Sequence, residues 1–271
     1  MSVYNPVTGE LAKTVIGGQR IEANIDEKIN LPSLTLILSK NEKQKLNLSY
    51  SKTVNRPEFR ELAPVAYQEF YGGNVALGYP GLLNAEIINY DCRYEWFFGG
   101  NELLSLGYFY KDFLNPIEAA LISTPDLVYK TFQNAKSAIS EGIEVEFRKL
   151  IPIIPISKGV INFSMNGTYS KSEVAERDSI ILYNGTTYPN SSFSNNKKRG
   201  LVGHSEILLN TTLGAQLSNG YTASLSYNYF SERLNSFSVG ALGNEYEFPF
   251  NSLNFTASKK INNLKLSFKM K

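Results

Sequence analysis

The sequence predicts an all-β chain: an antiparallel up-and-down transmembrane β-barrel of about 10–12 strands. Three observations carry this. Apolar and polar residues alternate with period two in window after window. Short turns and long loops take turns along the chain. No window shows helical periodicity, and no run approaches the ~18 apolar residues of a membrane helix.

Each strand is read from its alternation. Leu46, Leu48 and Tyr50 alternate with Asn47, Ser49 and Ser51. Tyr90, Cys92, Tyr94 and Trp96 share one face, against Asn89, Asp91, Arg93 and Glu95. Leu104, Leu106, Tyr108 and Tyr110 oppose Ser105, Gly107 and Phe109. Ile143, Val145 and Phe147 oppose Glu144, Glu146 and Arg148. Ile161, Phe163, Met165 and Tyr169 oppose Asn162, Ser164, Asn166, Thr168 and Ser170. The same rule holds for Ile207 to Gly214, Tyr221 to Tyr229, Leu253 to Ser258 and Leu264 to Lys271. Weaker candidates lie at Thr14 to Ile21, Leu34 to Leu38 and Tyr129 to Gln133.

The connections are unequal. Short links fall at Asn41-Glu42, Gly99 to Asn101, Asn219-Gly220 and Asn262-Asn263, where Asn and Gly suit tight hairpins. Long links are Val54 to Asn84, Asp112 to Val128, Ser172 to Leu201 and Ser231 to Tyr246. Ile151 to Lys158, with two prolines, reads as a Pro-shaped turn. Tyr and Phe gather near strand ends, as in the aromatic girdles of barrels. A near-neutral mean hydropathy of -0.21 is what apolar and polar faces give when they cancel.

Composition excludes several classes. One Cys rules out a disulfide framework, and a net charge of +2 argues against a nucleic-acid binder. One His and one Cys leave little for a metal site, so no cofactor and no metal are expected. No nucleophile elbow, phosphate loop or Cys-x-x-Cys occurs, so the chain is not read as an enzyme. The opening residues, Met1 to Glu10, carry neither a basic nor an apolar leader segment, so no signal peptide is expected.

Several segments jointly resemble the C-terminal β-barrel region of TonB-dependent outer-membrane receptors. Leu46 to Pro64 (LNLSYSKTVNRPEFRELAP) is similar to that family's strand and loop with the Asn-Arg-Pro motif. Gly78 to Leu82 (GYPGL) resembles its next segment, with Tyr79 where Asn is common. Ile87 to Phe97 (IINYDCRYEWF), Phe109 to Glu118 (FYKDFLNPIE) and Asn134 to Lys149 follow the pattern. So does Tyr227 to Ile261, through Arg233, Tyr246, Glu247, Pro249, Asn251 and Leu253 among others. The resemblance covers roughly residues 13–271 and implies about 22 strands in the family. The chain is therefore expected to be one barrel region, 1–271, a fragment truncated at both ends and without a plug domain.

That resemblance implies a wall segment of a receptor in the outer membrane of a Gram-negative-type cell. The implied partners are outer-membrane lipid, a plug domain and the remaining barrel strands, and a TonB-type energising protein. An unknown bulky solute completes the set, and no nucleic acid belongs to it. Charge at mid-depth on the lipid side costs ~2–4 kcal/mol, so Asp91, Arg93, Glu95, Glu144, Glu146 and Arg148 should all point into the lumen. They either contact plug or solute, or balance one another inside a wet barrel. Arg56 and Glu58 either clamp a solute or tie the first long loop to the wall after Pro57 stops the strand. His204 reads as an ordinary polar position and Cys92 as a small hydrophobe. Lys197, Lys198 and Arg199 read as a solvated loop tip. The alternative reading is a soluble antiparallel β binding module of carbohydrate or adhesin type, its apolar faces packed across two sheets.

Overall fold

The computed structural model describes residues 14–16, 19–21, 27–68, 70–123, 127–153, 159–182, 185–189, 199–239 and 243–271. A small hairpin, β1 (Thr14–Ile16) and β2 (Gln19–Ile21), comes first. It is followed by β3 (Ser33–Asn41), β4 (Gln44–Asn55), helix α1 (Phe59–Leu62), β5 (Ala66–Gln68) and β6 (Val75–Leu77). Then come β7 (Ala85–Gly99), β8 (Glu102–Leu114), β9 (Ile117–Ser123), β10 (Val128–Asn134), β11 (Ser137–Ile153) and β12 (Gly159–Ala175). The chain continues through β13 (Ser179–Ile181), β14 (Thr187–Pro189), β15 (Ile207–Leu217), β16 (Tyr221–Phe230) and β17 (Arg233–Val239). It ends with β18 (Glu245–Glu247), β19 (Phe250–Ile261) and β20 (Leu264–Met270).

Ten strands form one antiparallel wall in the order β20-β19-β16-β15-β12-β11-β8-β7-β4-β3, each hydrogen-bonded to its neighbour in the chain's wall sequence. This is an up-and-down meander, and β3 and β20 are its edges. No helix among the described residues is long and apolar enough to cross a membrane. Two wall strands run to 17 residues, far beyond the ~5–6 of ordinary globular strands. Pro152 sits in β11 opposite Val160, beyond the last rung shared with β8 at Arg148↔Leu103. There β11 has a ladder on one side alone, which is where a strand tolerates proline. The rest of the predicted Pro-shaped turn lies outside the described residues.

Register turns the sequence pattern into two faces. One row runs Leu48↔Cys92↔Tyr108↔Ile143↔Tyr169↔Ile207. Another runs Phe163↔Leu213↔Leu225↔Phe255↔Met270. This apolar face stays open: Ile143 is 53% exposed and Leu253 55%. An uncovered apolar surface of this extent fits contact with lipid. Two groups of its aromatics contact in series. Tyr50, Tyr90 and Tyr110 contact in series near the loop end, at 5.4 and 6.3 Å. Near the turn end Trp96, Phe98, Phe147 and Phe163 do the same, at 5.3, 6.2 and 6.0 Å. Six residues separate Tyr90 from Trp96, about 20 Å of strand. At the ~40° tilt of barrel strands that is about 15 Å of height, within the ~25 Å apolar band of outer-membrane barrels. Lys149 reaches Glu102 at 2.9 Å and lies over the Phe98 ring at the turn end, as a snorkelling lysine does.

Three of the long loops build a second, six-stranded sheet, β18-β17-β9-β10-β6-β5. The β8–β11 hairpin passes into it through a bend at Asn115, whose φ is +54°, and Pro116. Asn115 N donates to Lys136 O (3.3 Å) and Ala135 N to Pro116 O (2.9 Å), so the hairpin stays bonded across the bend. Tyr129 to Gln133, a weak wall candidate by sequence, belongs to this loop sheet as β10. The hydrophobic core lies here and not in the wall. Ala120, Ile122, Leu234, Phe237 and Val239 pack with Ile180 and Leu182 of the third long loop.

Candidate functional site: a recess between wall and loop sheet

The polar face of the wall meets the loop layer in a recess of about 420 Å³. Strands β7, β8, β11 and β12 supply Asp91, Phe109, Lys111, Ser140, Glu144 and Ser170 from below. The segment before β15 supplies Leu201, Gly203, His204 and Ser205, and β17 supplies Arg233. A second cavity of about 280 Å³, lined by Ile87, Phe113, Pro116, Ile117 and Val202 among others, adjoins it at Gly203 and His204.

The register places all six predicted inward charges on this polar face. Arg93↔Gly107↔Glu144 and Glu95↔Ser105↔Glu146 are rows across β7, β8 and β11. Arg93 Nη2 donates to Glu144 Oε2 at 2.9 Å across Gly107. Asn47 Nδ2 donates to Glu95 at 3.3 Å, and Ser49 Oγ to Asp91 at 3.3 Å. Arg148 pairs with Glu146. Asp91 and Glu144 line the recess, while Arg93, Glu95, Glu146 and Arg148 continue the same face toward the turn end. Arg56 and Glu58 stand apart, both exposed at the start of the first long loop. Glu58 N caps α1 by donating to Glu61 Oε2 at 2.8 Å.

Sequence reasoning did not pick out Lys111, Ser170 or Arg233 for this site. Lys111 was within reach, because it lies on the face of Phe109, which pairs with Asp91. His204 bridges two serines, with Nε2 2.9 Å from Ser170 Oγ and Nδ1 2.9 Å from Ser172 Oγ. Burial lowers its pKa, with Glu206 pulling the other way. Arg199 departs most from expectation: it is no solvated loop tip. Its guanidinium is 9% exposed, bidentate on Glu118 (2.9 Å to each oxygen), paired with Glu176 and stacked on Phe237 at 4.3 Å. Lys197 and Lys198 lie outside the described residues. Cys92 is exposed on the apolar face.

The motif residues prove to be ties between loops and wall. Asn134 Oδ1 accepts from Leu83 N (2.8 Å), and its Nδ2 donates to Leu83 O (3.0 Å) and Asn115 O (2.8 Å). Gly78 N donates to Ala63 O and Tyr79 N to Glu61 O, joining the two motif segments of the first long loop. A Cβ on Gly78 would sit 2.3 Å from Ala63 O, so the approach needs glycine. Arg233 Nε donates to Glu247 at 2.6 Å.

A model of the outer membrane protein beta-barrel family matches residues 17–271. The chain belongs to that family. Its place is accordingly the outer membrane, and its wall is part of an up-and-down transmembrane barrel. No curated protein matches this barrel chain. Solved structures do. The ferric enterobactin receptor of Pseudomonas aeruginosa is 17% identical with a TM-score of 0.53, covering 88% of this chain and 33% of its own. The siderophore receptor PirA of the same organism is 18% identical with a TM-score of 0.54, covering 88% and 37%. The FrpB iron transporter of Neisseria meningitidis is 12% identical with a TM-score of 0.50, covering 85% and 32%. The barrel chain thus spans about a third of those proteins. At these identities the likeness is one of fold.

Proposed function

We propose that this chain is wall and loop cap of an outer-membrane receptor that takes up a bulky solute, energised through a TonB-type inner-membrane partner. The observation that carries the reading is the recess. It sits where a polar, charged wall face meets a loop sheet with its own core, and no lipid-facing surface enters it. The likeness in fold to receptors whose names speak of siderophores and iron supports the same reading. On this view Asp91, Arg93, Glu95, Glu144, Glu146 and Arg148 line the path that solute and plug domain share. Arg56 and Glu58 stand at its loop-end rim, and the activity is transport, not catalysis.

The test uses the full-length receptor gene in a Gram-negative host that lacks its own receptors. Accumulation of radiolabelled ferric enterobactin, cobalamin and oligosaccharides is measured with and without TonB. Accumulation of at least one of these that disappears without TonB is the expected result. If none accumulates in a TonB-dependent manner, the transport reading fails.

A further inference from the structure

We infer that the recess takes an anionic oxygen group of the solute, such as a carboxylate or phenolate, against the Lys111 ammonium, beside the Ser205 hydroxyl. The inference rests on the receptor reading and adds the chemistry of what is bound. Its ground is an accounting of charges in the recess. Glu144 is held by Arg93 at 2.9 Å, and Arg233 by Glu247 at 2.6 Å. Asp91 accepts from Ser49 at 3.3 Å. Lys111, like Asp91, has no counter-ion among the described residues, and it is the cation of the two. Its Nζ lies 5.5 Å from the centre of the Phe109 ring, and no carboxylate of a described residue forms an ion pair with it.

A second observation is independent of charge. Ser205 is 6% exposed and lines the recess, yet its Oγ has no hydrogen-bond partner among the described residues. A buried hydroxyl without a partner is unfavourable, and such groups in native proteins call for an explanation. Its backbone bridges to Arg233, which fixes it at the junction of wall and cap. The ring nitrogens of His204 are both taken, by Ser170 and Ser172. The Ser140 and Thr168 hydroxyls, which also line the recess, add donors to the Lys111 ammonium and the Ser205 hydroxyl, the set that an anionic oxygen group satisfies. Phe109 and Phe113 bring aromatic surface to the same recess, so a ring bearing the anion suits it.

The experiment uses purified full-length receptor in detergent, with benzoate, benzamide and benzylamine as probes of one shape and three charges. Binding is read by saturation-transfer NMR and calorimetry. Benzoate is expected to bind at least tenfold more tightly than benzamide. Lys111→Gln should remove that preference, Lys111→Arg should keep it, and Ser205→Ala should weaken benzoate several-fold. Heat-modifiable gel migration shows which variants are folded, and where K111Q is not, S205A carries the test. Equal binding of benzoate and benzamide, a preference for benzylamine through Asp91, or a benzoate preference that survives K111Q overturns the inference. Each leaves TonB-dependent uptake untouched, and loss of uptake with benzoate binding intact counts against the transport reading alone.

Discussion

Replacing Arg199 by alanine removes the cation that ties three loop segments together. Glu118 lies at the start of β9, Glu176 follows β12, and Arg199 closes the third long loop. The Glu118 side chain is 2% exposed and accepts two hydrogen bonds from Arg199 and one from Val202 N at 2.9 Å. Burial alone would make the guanidinium easier to deprotonate, but Glu118 and Glu176 outweigh it and hold its pKa above the ordinary value. The guanidinium therefore stays charged. Removing one partner of a buried pair costs about 3–5 kcal/mol, because a carboxylate is left desolvated without its cation. At 1.4 kcal/mol per decade, opening of the cap should become roughly a hundred- to a few thousand-fold more frequent. The assay is amide exchange of residues 117–123 and 233–239, with wall strands β11 and β12 as the internal reference. R199A protection within threefold of the parent would refute the reasoning. A neutral triple variant, R199M/E118Q/E176Q, leaves no buried charge and should recover most of the loss. If it is as open as R199A, charge is not the cause. The R199A defect should also shrink at acid pH, since an isolated buried carboxyl takes up a proton more readily than a solvated one.

The two faces of the wall make a paired prediction. Leu213→Arg, on the apolar face at mid-strand, should cost about 2–4 kcal/mol in urea unfolding from lipid vesicles, and Thr212→Arg, on the polar face, less than about 1. The glycines of the wall make another. A Cβ at Gly142 would lie 2.5 Å from Ser170 Cβ and 2.7 Å from Tyr169 O, so Gly142→Ala should cost about 1–3 kcal/mol in the same assay. At Gly107 the nearest atom is 3.5 Å away, and Gly107→Ala should be close to neutral. His204 predicts a pH dependence. Its folded pKa lies below the unfolded 6.5, so its contribution to cap stability is complete above pH 6.5 and is lost as pH falls through the folded value. Cap protection should decline on that acid limb in the parent protein, and the decline should be absent in His204→Gln.

The wall is legible in the sequence because its signal is local. Leu46 to Ser51 declares a strand, its two faces and its pairing parity within six residues. Antiparallel hairpins then carry that parity to the next strand, which is how alternation alone assigns Asp91 and Glu144 to one face. The cap is not legible for the opposite reason. Strand β9 (IEAALIS) is buried on both sides at Ala120, Leu121 and Ile122, so it shows no alternation. Its parallel pairing with β17 joins Ala120 to Phe237, and that of β10 with β6 joins Thr131 to Leu77. No short window holds such contacts. Arg199 shows the same failure in one residue. Beside Lys197 and Lys198 it reads as solvent-facing charge, while the carboxylates that bury it stand 81 and 23 residues away.

Wall and cap are stabilised by different means, and this decides what each can do. The wall exposes Ile143, Leu213 and Leu253 on one side and charges on the other. With no apolar interior of its own, it is held by its ladders and by lipid on its apolar face. The cap has no lipid to lean on. It needs a core, and Ile122, Phe237 and Leu182 supply one from three different loops. Once three loops share a core, and two of them the Arg199 triad, none can swing out alone without exposing apolar surface or buried charge. The cap therefore holds a fixed shape above the polar face. That fixed shape is what lets Leu201 to Ser205, which belong to a loop, line one recess with Lys111, which belongs to the wall. A recess built from both parts keeps its geometry as long as the shared core stays closed.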